Sequence, residues 1–496
     1  MQERVQHGRA GDAAAAVVIV IVLGAVWAHS HLVLAALALP VVAVAAVVLA
    51  TVQRRLQAPD GWAGRRDLAL LRVRAPVAGR LTLGHGAGGG LLAAERRASV
   101  LVLGPSQSGK TTGLAIPAIL EWRGPVVATS VKADLVHHTL ATRAQQGVAS
   151  VYDPTGATGH PRAGWSPLAA CSTWQGARRI AAWLCGAART SGGGVSDEEF
   201  WYAAAGKLLG PYLLAAATAE RDMGQVVRWI DRQEETEVEG ILDRAGHDDA
   251  LVSATASWQR DERTRSSVFT TAEMVLEAYA DPSILSSAER SDIDAHRLVA
   301  GGSATVYICA PSFEQERLRP VFATLLQSIM TAAYEEALRR GQPLDPPLLV
   351  VLDEAANIAP LRDLDTIAST AAGHGIQLMT VWQDLAQLRS RYGERASTVV
   401  NNHRARIILS GIADPATLEY ASRLIGDTDT RDHSVTTDPT GGRSTTRSQR
   451  ERRLAPDAEL RKIRPGEGVL VYGHLPPARI RLRNRALRTR SLRRRS

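Results

Sequence analysis

The chain of 496 residues is long enough for two to four domains. Its 45% hydrophobic and 22% charged residues are typical of a globular protein and exclude a disordered, collagen-like or disulfide-stapled chain. The formal net charge is +8, but positions 479–496 contain nine arginines and no acid, and subtracting these nine charges leaves −1 for the remainder. The body is therefore not a basic nucleic-acid-binding globule, and residues 485–496 are predicted to be an appended basic tail.

Two uncharged apolar runs, 13–28 and 32–52, lie close to the N-terminus with three residues between them. The second run is long enough to span a bilayer, and the first reaches that length with its small flanking residues. Arginines precede and follow the pair and are absent from its turn, so 13–52 is predicted to be a transmembrane hairpin with 1–12 and the rest of the chain in the cytoplasm. This predicts a two-pass protein of the cell membrane. A signal peptide cleaved after Ala28 is the alternative, although the second run would still anchor the chain.

Residues 53–98 are rich in Gly, Arg and Pro and are predicted to be a linker. From residue 99 onwards, short apolar runs alternate with helical stretches. Strands are predicted at 100–103, 126–129, 148–152, 304–309, 348–352, 377–381, 405–409 and 468–472. Buried strands that alternate with helices predict a parallel α/β sheet.

Residues 166–300 have a different pattern, because apolar positions recur there at helical spacing, in 177–184, 200–217, 226–230 and 269–279. We predict an all-helical domain inserted into an α/β domain that consists of 99–165 and 301–484. Segment 431–453 has almost no apolar residue and is predicted to be a flexible surface loop.

The motif G-x-x-x-x-G-K-[ST] occurs directly after the first predicted strand of the α/β domain. Its glycines allow backbone amides to surround a phosphate at the start of a helix. Lys110 is one of only four lysines in the chain and is expected to contact the β- and γ-phosphates of ATP, and Thr111 to ligate Mg²⁺. The predicted nucleotide-binding residues are Gly104, Pro105, Ser106, Gln107, Ser108, Gly109, Lys110, Thr111 and Thr112.

Two further strands end in polar residues suited to this chemistry. The run 348–352 is followed by Asp353, a predicted Mg²⁺ ligand, and by Glu354, which is expected to polarise the attacking water. Gln383 follows the run 377–381 and is predicted to place its amide near the γ-phosphate as a sensor of nucleotide state. Lys110, Glu354 and Gln383 are therefore the predicted catalytic residues.

Several motifs follow the phosphate loop in a characteristic order, namely Tyr152-Asp153-Pro154, Phe200-Trp201, Asp353-Glu354 and Gly375 through Gln383. In this order the chain resembles the coupling-protein ATPases of conjugative type IV secretion, of the TraG/TraD type, over nearly its whole length. The resemblance implies a RecA-like P-loop NTPase domain, a substrate-facing helical domain, a membrane anchor and a homohexamer.

The chain also departs from this family's pattern. The family usually has an arginine shortly before the Gly-Ile pair that matches Gly375-Ile376, whereas 371–374 contains none here. Arg404, Arg406 and Arg423 are the remaining candidates for an arginine that acts on the site of a neighbouring subunit.

The resemblance implies a membrane-anchored ATPase that recruits single-stranded DNA, with its attached relaxase, and translocates it through a type IV secretion channel. Its expected partners are DNA, the relaxase and the channel components. One alternative is an ATPase that pumps protein substrates, and another is a septal duplex-DNA translocase, which lacks support because no winged-helix domain follows the motor. A non-hydrolysing docking platform is disfavoured by the intact Lys110, Thr111, Asp353 and Glu354.

Overall fold

The computed structural model describes residues 61–189, 197–355, 361–437 and 443–483. The predicted N-terminal segment 1–12, the hairpin 13–52 and the tail 485–496 lie outside these residues. Within the part of the chain that is described, no helix is both long and apolar enough to cross a membrane.

The described strands belong to two sheets, of twelve and two strands. In chain order they are β1 (Arg72–Val73), β2 (Thr82–His85), β3 (Leu91–Ala93), β4 (Val100–Leu103), β5 (Val126–Ser130), β6 (Ala149–Tyr152), β7 (Thr305–Cys309), β8 (Leu348–Leu352), β9 (Ile376–Trp382), β10 (Ala405–Leu409), β11 (Asp427–Thr437), β12 (Arg443–Arg453), β13 (Glu467–Tyr472) and β14 (Ala478–Arg481). The order in the large sheet is β1-β3-β2-β14-β13-β10-β4-β9-β8-β5-β7-β6.

The seven strands from β10 to β6 pair in parallel and form the centre of the large sheet. They are short, apolar and mostly buried on both faces, as expected of a parallel sheet covered by helices. Each strand predicted from the apolar runs is present, and β4, β8 and β10 have the predicted bounds. The mixed α/β class predicted from the sequence is therefore confirmed.

The α-helices either cover this sheet or form the insertion. In chain order they are α1 (Ile116–Glu121), α2 (Asp134–Ala144), α3 (Trp174–Ala188), α4 (Asp197–Thr218), α5 (Met223–Asp231), α6 (Thr236–Arg244), α7 (Asp248–Trp258), α8 (Glu262–Leu276), α9 (Pro282–Ser287), α10 (Ala295–Val299), α11 (Gln315–Arg340), α12 (Leu364–Thr370), α13 (Leu385–Tyr392), α14 (Ala396–Asn402), α15 (Pro415–Ile425) and α16 (Asp457–Arg461). A π-helical turn, Thr111–Ala115, precedes α1. Helices α3 to α10 follow β6 and precede β7, and no strand lies among the described residues between those two strands.

The prediction of a linker at 53–98 is wrong for its described part, 61–98. This segment contains β1, β2 and β3, which extend the large sheet through β14. Gly84 has φ +121°, and a Cβ atom built on it would lie 2.7 Å from the carbonyl oxygen of Arg481, so glycine is required where β2 meets β14. Leu81 and Leu83 are buried in the same core cluster as β4, so the segment is part of the α/β domain.

The prediction of a flexible loop at 431–453 is also wrong. β11 and β12 pair as an antiparallel hairpin that forms the second sheet, from Asp427 opposite Arg453 to Thr437 opposite Arg443. Backbone pairing of this kind needs no apolar residues, which explains why the polar composition gave no strand signal.

Candidate nucleotide-binding site

The three motifs singled out in the sequence meet at one edge of the large sheet. β4, β9 and β8 are adjacent and parallel, with Leu103 opposite Trp382 and Leu352 opposite Thr380. The phosphate loop, Gln383 and the pair Asp353-Glu354 follow the carboxyl ends of these three strands. This edge is the usual ligand-binding position in open α/β sheets.

The phosphate loop is a tight backbone structure that requires glycine at Gly104 because of close contacts and favours it at Gly109 because of its backbone conformation. The N–H of Gly104 donates to the carbonyl of Trp382 at 3.1 Å, which fixes the start of the loop to β9. A Cβ atom on Gly104 would lie 2.7 Å from Ser108 Oγ and 2.9 Å from Leu409 Cβ. Gly109 has φ +88° and Gln107 φ +67°, so the loop turns through the left-handed region twice. The chain then enters the helix with its N–H groups oriented for an anion.

Lys110 lies inside this loop. Its Nζ donates to the carbonyl oxygens of Gly104 at 2.5 Å and Pro105 at 3.2 Å, and the side chain is buried. Burial lowers the pKa of Lys110, and the negative charges of Asp353 and Glu354 partly oppose that shift. The ammonium is thus placed within the loop by the loop's own carbonyls.

Asp353 and Thr111 are joined across the edge. Thr111 Oγ1 donates to Asp353 Oδ2 at 2.9 Å, and burial raises the pKa of Asp353 to about 6, against the effects of this hydrogen bond and of Lys110. The second oxygen, Asp353 Oδ1, is buried without a hydrogen-bond partner among the described residues, and so is Ser108 Oγ. A hydroxyl and a carboxylate with a free oxygen are the donors that Mg²⁺ prefers, so these residues fit that ion.

Glu354 has a strained backbone. Its φ is +59°, in the left-handed region that non-glycine residues seldom adopt. The N–H of the next residue, Ala355, donates to the carbonyl of Val381 on β9 at 3.2 Å, which helps to hold the turn. Strain of this kind is concentrated at functional sites, and here it orients the residue predicted to activate water.

Gln383 occupies the first position after β9, between the two motifs. Its backbone N–H donates to Gln387 Oε1 at 3.0 Å, and Asp384 caps α13 by accepting from the N–H of Gln387 at 2.8 Å. The predicted sensor is therefore at the same edge as Lys110 and Asp353, at the start of a helix whose entry is fixed.

The candidate arginines are not at this edge. Arg404 pairs with Glu95 at 2.8 Å, and the guanidinium of Arg406 donates to two backbone carbonyls, both at 3.1 Å. Both flank the amino end of β10, which lies at the opposite edge of the sheet. Arg423 pairs with Glu419 on α15. Within one chain, none of these three arginines contacts the phosphate loop.

Lys132 is a residue of the site that none of the sequence motifs contains. It follows β5, whose Thr129 pairs with Leu352 of β8, immediately before Asp353. Its positive charge lowers the pKa values of both Lys110 and Asp353, so it lies within electrostatic range of both. The signal in the sequence was the rarity of lysine, since two of the four lysines are at this edge.

The loop, the bonded Thr111–Asp353 pair and the strained Glu354 define a P-loop nucleotide-binding protein with an α/β sheet. Comparison with known families gives the more particular assignment. The model of the type IV secretory system conjugative DNA transfer family matches residues 64–483, and the chain belongs to this family. The resemblance inferred from the motifs is thereby confirmed.

Individual relatives are distant. Conjugal transfer protein TraG of Escherichia coli is 26% identical over 374 residues, which cover 68% of this chain and 56% of that protein. Protein VirD4 of Agrobacterium fabrum is 25% identical over 373 residues, which cover 72% of this chain and 53% of that protein. The chain therefore spans little more than half the length of these curated relatives.

Solved structures share the fold. The bacterial conjugative coupling protein TrwBdeltaN70 has a TM-score of 0.65 at 18% identity, over 85% of this chain and 92% of that one. TrwB in complex with ADP and Mg²⁺ has a TM-score of 0.65 at 17% identity, over 86% of this chain and 96% of that one. At such identities the likeness establishes the fold.

Proposed function

We propose that the chain is a membrane-anchored ATPase that couples hydrolysis to translocation of single-stranded DNA, with an attached relaxase, through a type IV secretion channel. The observation that carries the proposal is the bonded Thr111–Asp353 pair beside the buried Lys110, in a member of the conjugative DNA transfer family. The complex of TrwB with ADP and Mg²⁺ supports ATP and Mg²⁺ as the cofactors.

Binding of ATP follows from the loop. The backbone N–H groups of 106–112 surround the phosphates, and the Lys110 ammonium exchanges the carbonyl oxygens of Gly104 and Pro105 for phosphate oxygens. Thr111 Oγ1 and the carboxylate of Asp353 are the groups that would hold Mg²⁺. When bound, this ion neutralises charge that develops on the transferred phosphoryl group.

Hydrolysis then requires a base and a sensor. The carboxylate of Glu354 accepts a proton from the water that attacks the γ-phosphorus, and the bond from that phosphorus to the bridging oxygen breaks so that ADP leaves. The amide of Gln383, at the carboxyl end of the strand between the two motifs, contacts the γ-phosphate and passes its presence or absence to α13.

ATPase assays with and without single-stranded DNA test this proposal. Glu354→Gln keeps nucleotide binding but lowers turnover by about 10²-fold or more, because an amide cannot accept the proton. Lys110→Ala loses nucleotide binding itself. Stimulation by single-stranded DNA supports the proposal, whereas hydrolysis indifferent to DNA favours a protein cargo. Normal turnover in Glu354→Gln would contradict the assigned role, and an inactive wild type would favour a docking platform.

The membrane anchor and the ring are also part of the proposal. Residues 13–52 form a two-pass hairpin in the cell membrane, and the ATPase domain lies in the cytoplasm. Six copies of the chain form the assembly. Channel components and the relaxase are the proposed protein partners. Ser30→Cys and Arg54→Cys variants should react with a membrane-impermeant thiol reagent from opposite sides. The three native cysteines give little background, since all are buried and burial raises their thiol pKa values. Reaction of both positions from the outside would refute the hairpin.

A further inference from the structure

A cavity of about 800 Å³ opens in the helical insertion between α3, α4 and α7. Small residues line the space, namely Ala182 and Gly186 on α3 and Ala203 and Gly206 on α4. The helices are nevertheless in firm contact at one end of the cavity, where a Cβ atom on Gly210 would lie 3.2 Å from the Trp174 ring. The cavity thus lies between helices that pack against one another.

The walls of this cavity are cationic. Arg178, Arg189, Lys207 and Arg362 line it against two acids, Glu199 and Asp249, which gives a formal surplus of two positive charges. Glu199 is shared by Arg189 at 3.5 Å and Arg362 at 3.6 Å. Among the described residues Arg178 and Lys207 have no ion-pair partner, and both are exposed. These two cations are available to an anionic ligand.

Two aromatic rings line the same cavity as these cations, and one of them lies beside Arg178. Trp174, at the start of α3, is half-buried, and the guanidinium carbon of Arg178 lies 5.8 Å from its ring centroid. Tyr202 lines the cavity from α4. Cations next to a partly exposed aromatic ring are the combination by which proteins bind single-stranded nucleic acid without sequence preference.

We propose that this cavity, here named the α3–α4 pocket, binds a short segment of single-stranded DNA, with phosphates on Arg178 and Lys207 and a base against Trp174. This inference rests on the proposed function and specifies a contact site for its cargo outside the nucleotide-binding edge. A paired base would first have to leave its partner and its stack, which costs free energy, so duplex DNA fits less well. An acidic peptide would satisfy the cations but leave the indole face without a stacking partner.

The pocket is connected to the α/β domain through Arg362. This residue follows the catalytic Glu354 by eight positions, and its ion pair with Glu199 brings the α/β domain to the wall of the pocket. Single-stranded DNA that competes for Arg189 or Arg362 would therefore alter an ion-pair contact between the helical insertion and the α/β domain. Stimulation of hydrolysis by single-stranded DNA should depend on this pocket.

Binding of a labelled oligodeoxythymidine to the full chain, measured by fluorescence anisotropy, tests the proposal. The variant Arg178→Gln/Lys207→Gln removes both available cations, and Arg232→Gln/Arg244→Gln removes two exposed arginines of the same insertion outside the pocket. We expect about ten-fold weaker binding in the first variant and little change in the second. We also expect a change in the salt slope, which is the slope of log affinity against log salt concentration between about 50 and 200 mM. In Arg178→Gln/Lys207→Gln the salt slope should become shallower by about 1.4, at about 0.7 for each lost phosphate contact.

Each outcome decides the question. If the wild type and Arg178→Gln/Lys207→Gln bind the oligonucleotide with equal affinity and equal salt slope, the proposed function stays intact while DNA binding by the pocket is overturned. Equal losses in both double variants also overturn it, because general charge would then explain binding. A wild-type chain that binds no oligodeoxythymidine contradicts the proposed function itself.

Trp174→Leu provides a second variant that leaves the charge unchanged, and thermal unfolding checks that each variant is folded. Weaker oligonucleotide binding in Trp174→Leu with an unchanged salt slope supports a base stacked on Trp174. If the wild type binds poly-glutamate in place of oligodeoxythymidine, the proposal of a DNA site is overturned in favour of an acidic peptide.

Discussion

Asp353 is a carboxylate in a position that costs free energy unless a ligand compensates for it. Burial raises its pKa to about 6, one oxygen is bonded to Thr111 and the other has no hydrogen bond within the described chain. Buried charges without full compensation are rare except at sites that bind ions or ligands. The arrangement therefore indicates that the site is preformed for a cation.

Lys132 should contribute to nucleotide binding through its charge. Its field acts on both Lys110 and Asp353, so an incoming phosphate at this edge would experience it as well. Because Lys132 is exposed, solvent screens the effect, and we expect Lys132→Met to raise the KM for ATP by about three- to ten-fold. Lys462→Met is the matched control, since Lys462 is an exposed lysine near β13. Equal KM values in Lys132→Met and wild type would remove Lys132 from the site.

His403 should make the protein sensitive to acid. It is fully buried, with Nδ1 near the carbonyl of Val399 at 2.7 Å and Nε2 near Thr380 Oγ1 at 3.1 Å, and burial lowers its pKa from 6.5 to about 4. The unfolded chain then binds a proton that the folded chain excludes, so stability is complete above about pH 6.5 and falls as the pH decreases towards 4. The loss attributable to this group is up to about 3 kcal/mol.

Urea unfolding of the wild type and His403→Gln at pH values between about 7 and 4 measures this contribution. The wild type should lose more of its free energy of unfolding over that interval than the variant does. Parallel pH profiles would show that His403 is not the responsible group.

The elements of the α/β sheet differ in how far the sequence could predict them. The runs that became β4 and β8 are continuous apolar stretches that parallel strands bury on both faces, so their bounds could be read directly. β1, β2 and β3 have only two to four residues in a glycine-rich segment, and their pairing depends on distant β14. The position of Lys132 likewise follows from the register between β5 and β8, which no local motif encodes.

The ion pair between Arg483 and Glu121 should hold the last described residues to the body of the domain. Arg483 Nη1 lies 2.5 Å from Glu121 Oε1, Thr82 donates to the other oxygen at 2.8 Å, and the two charged side chains are 14% and 8% exposed. Loss of one partner of a buried pair is costly, so Arg483→Met should lower the free energy of unfolding by about 2–4 kcal/mol.

The matched control for this pair is Arg481→Met on β14, where the arginine is exposed and little change is expected. The double variant Arg483→Met/Glu121→Gln should recover part of the loss, because the buried charge is then removed. A loss below about 0.5 kcal/mol in Arg483→Met would show that the pair contributes no more than a surface ion pair.

Across the whole chain, the arginines near the C-terminus fall into two groups. Arg479 and Arg481 belong to β14, and Arg483 forms the buried pair, so these three act within the fold. The remaining six, from 485 onwards, lie outside the described residues and provide most of the formal net charge of +8. The sequence alternatives for them are a solubilising tail, a segment on anionic lipid and a clamp on nucleic-acid phosphates.

Truncation after Leu487 distinguishes a phosphate clamp from the other two alternatives. It removes five arginines and lowers the formal net charge from +8 to +3, while leaving β14 and the Arg483 pair intact. If these arginines contact DNA phosphates, affinity for oligodeoxythymidine falls and the salt slope becomes shallower by up to about 3.5, at about 0.7 for each contact. Because tail and α3–α4 pocket would contact different phosphates, the truncation combined with Arg178→Gln/Lys207→Gln should reduce the slope by the sum of the two changes. An unchanged slope in the truncated chain would exclude the clamp, and vesicles with anionic lipid would then separate a lipid-bound tail from a solubilising one.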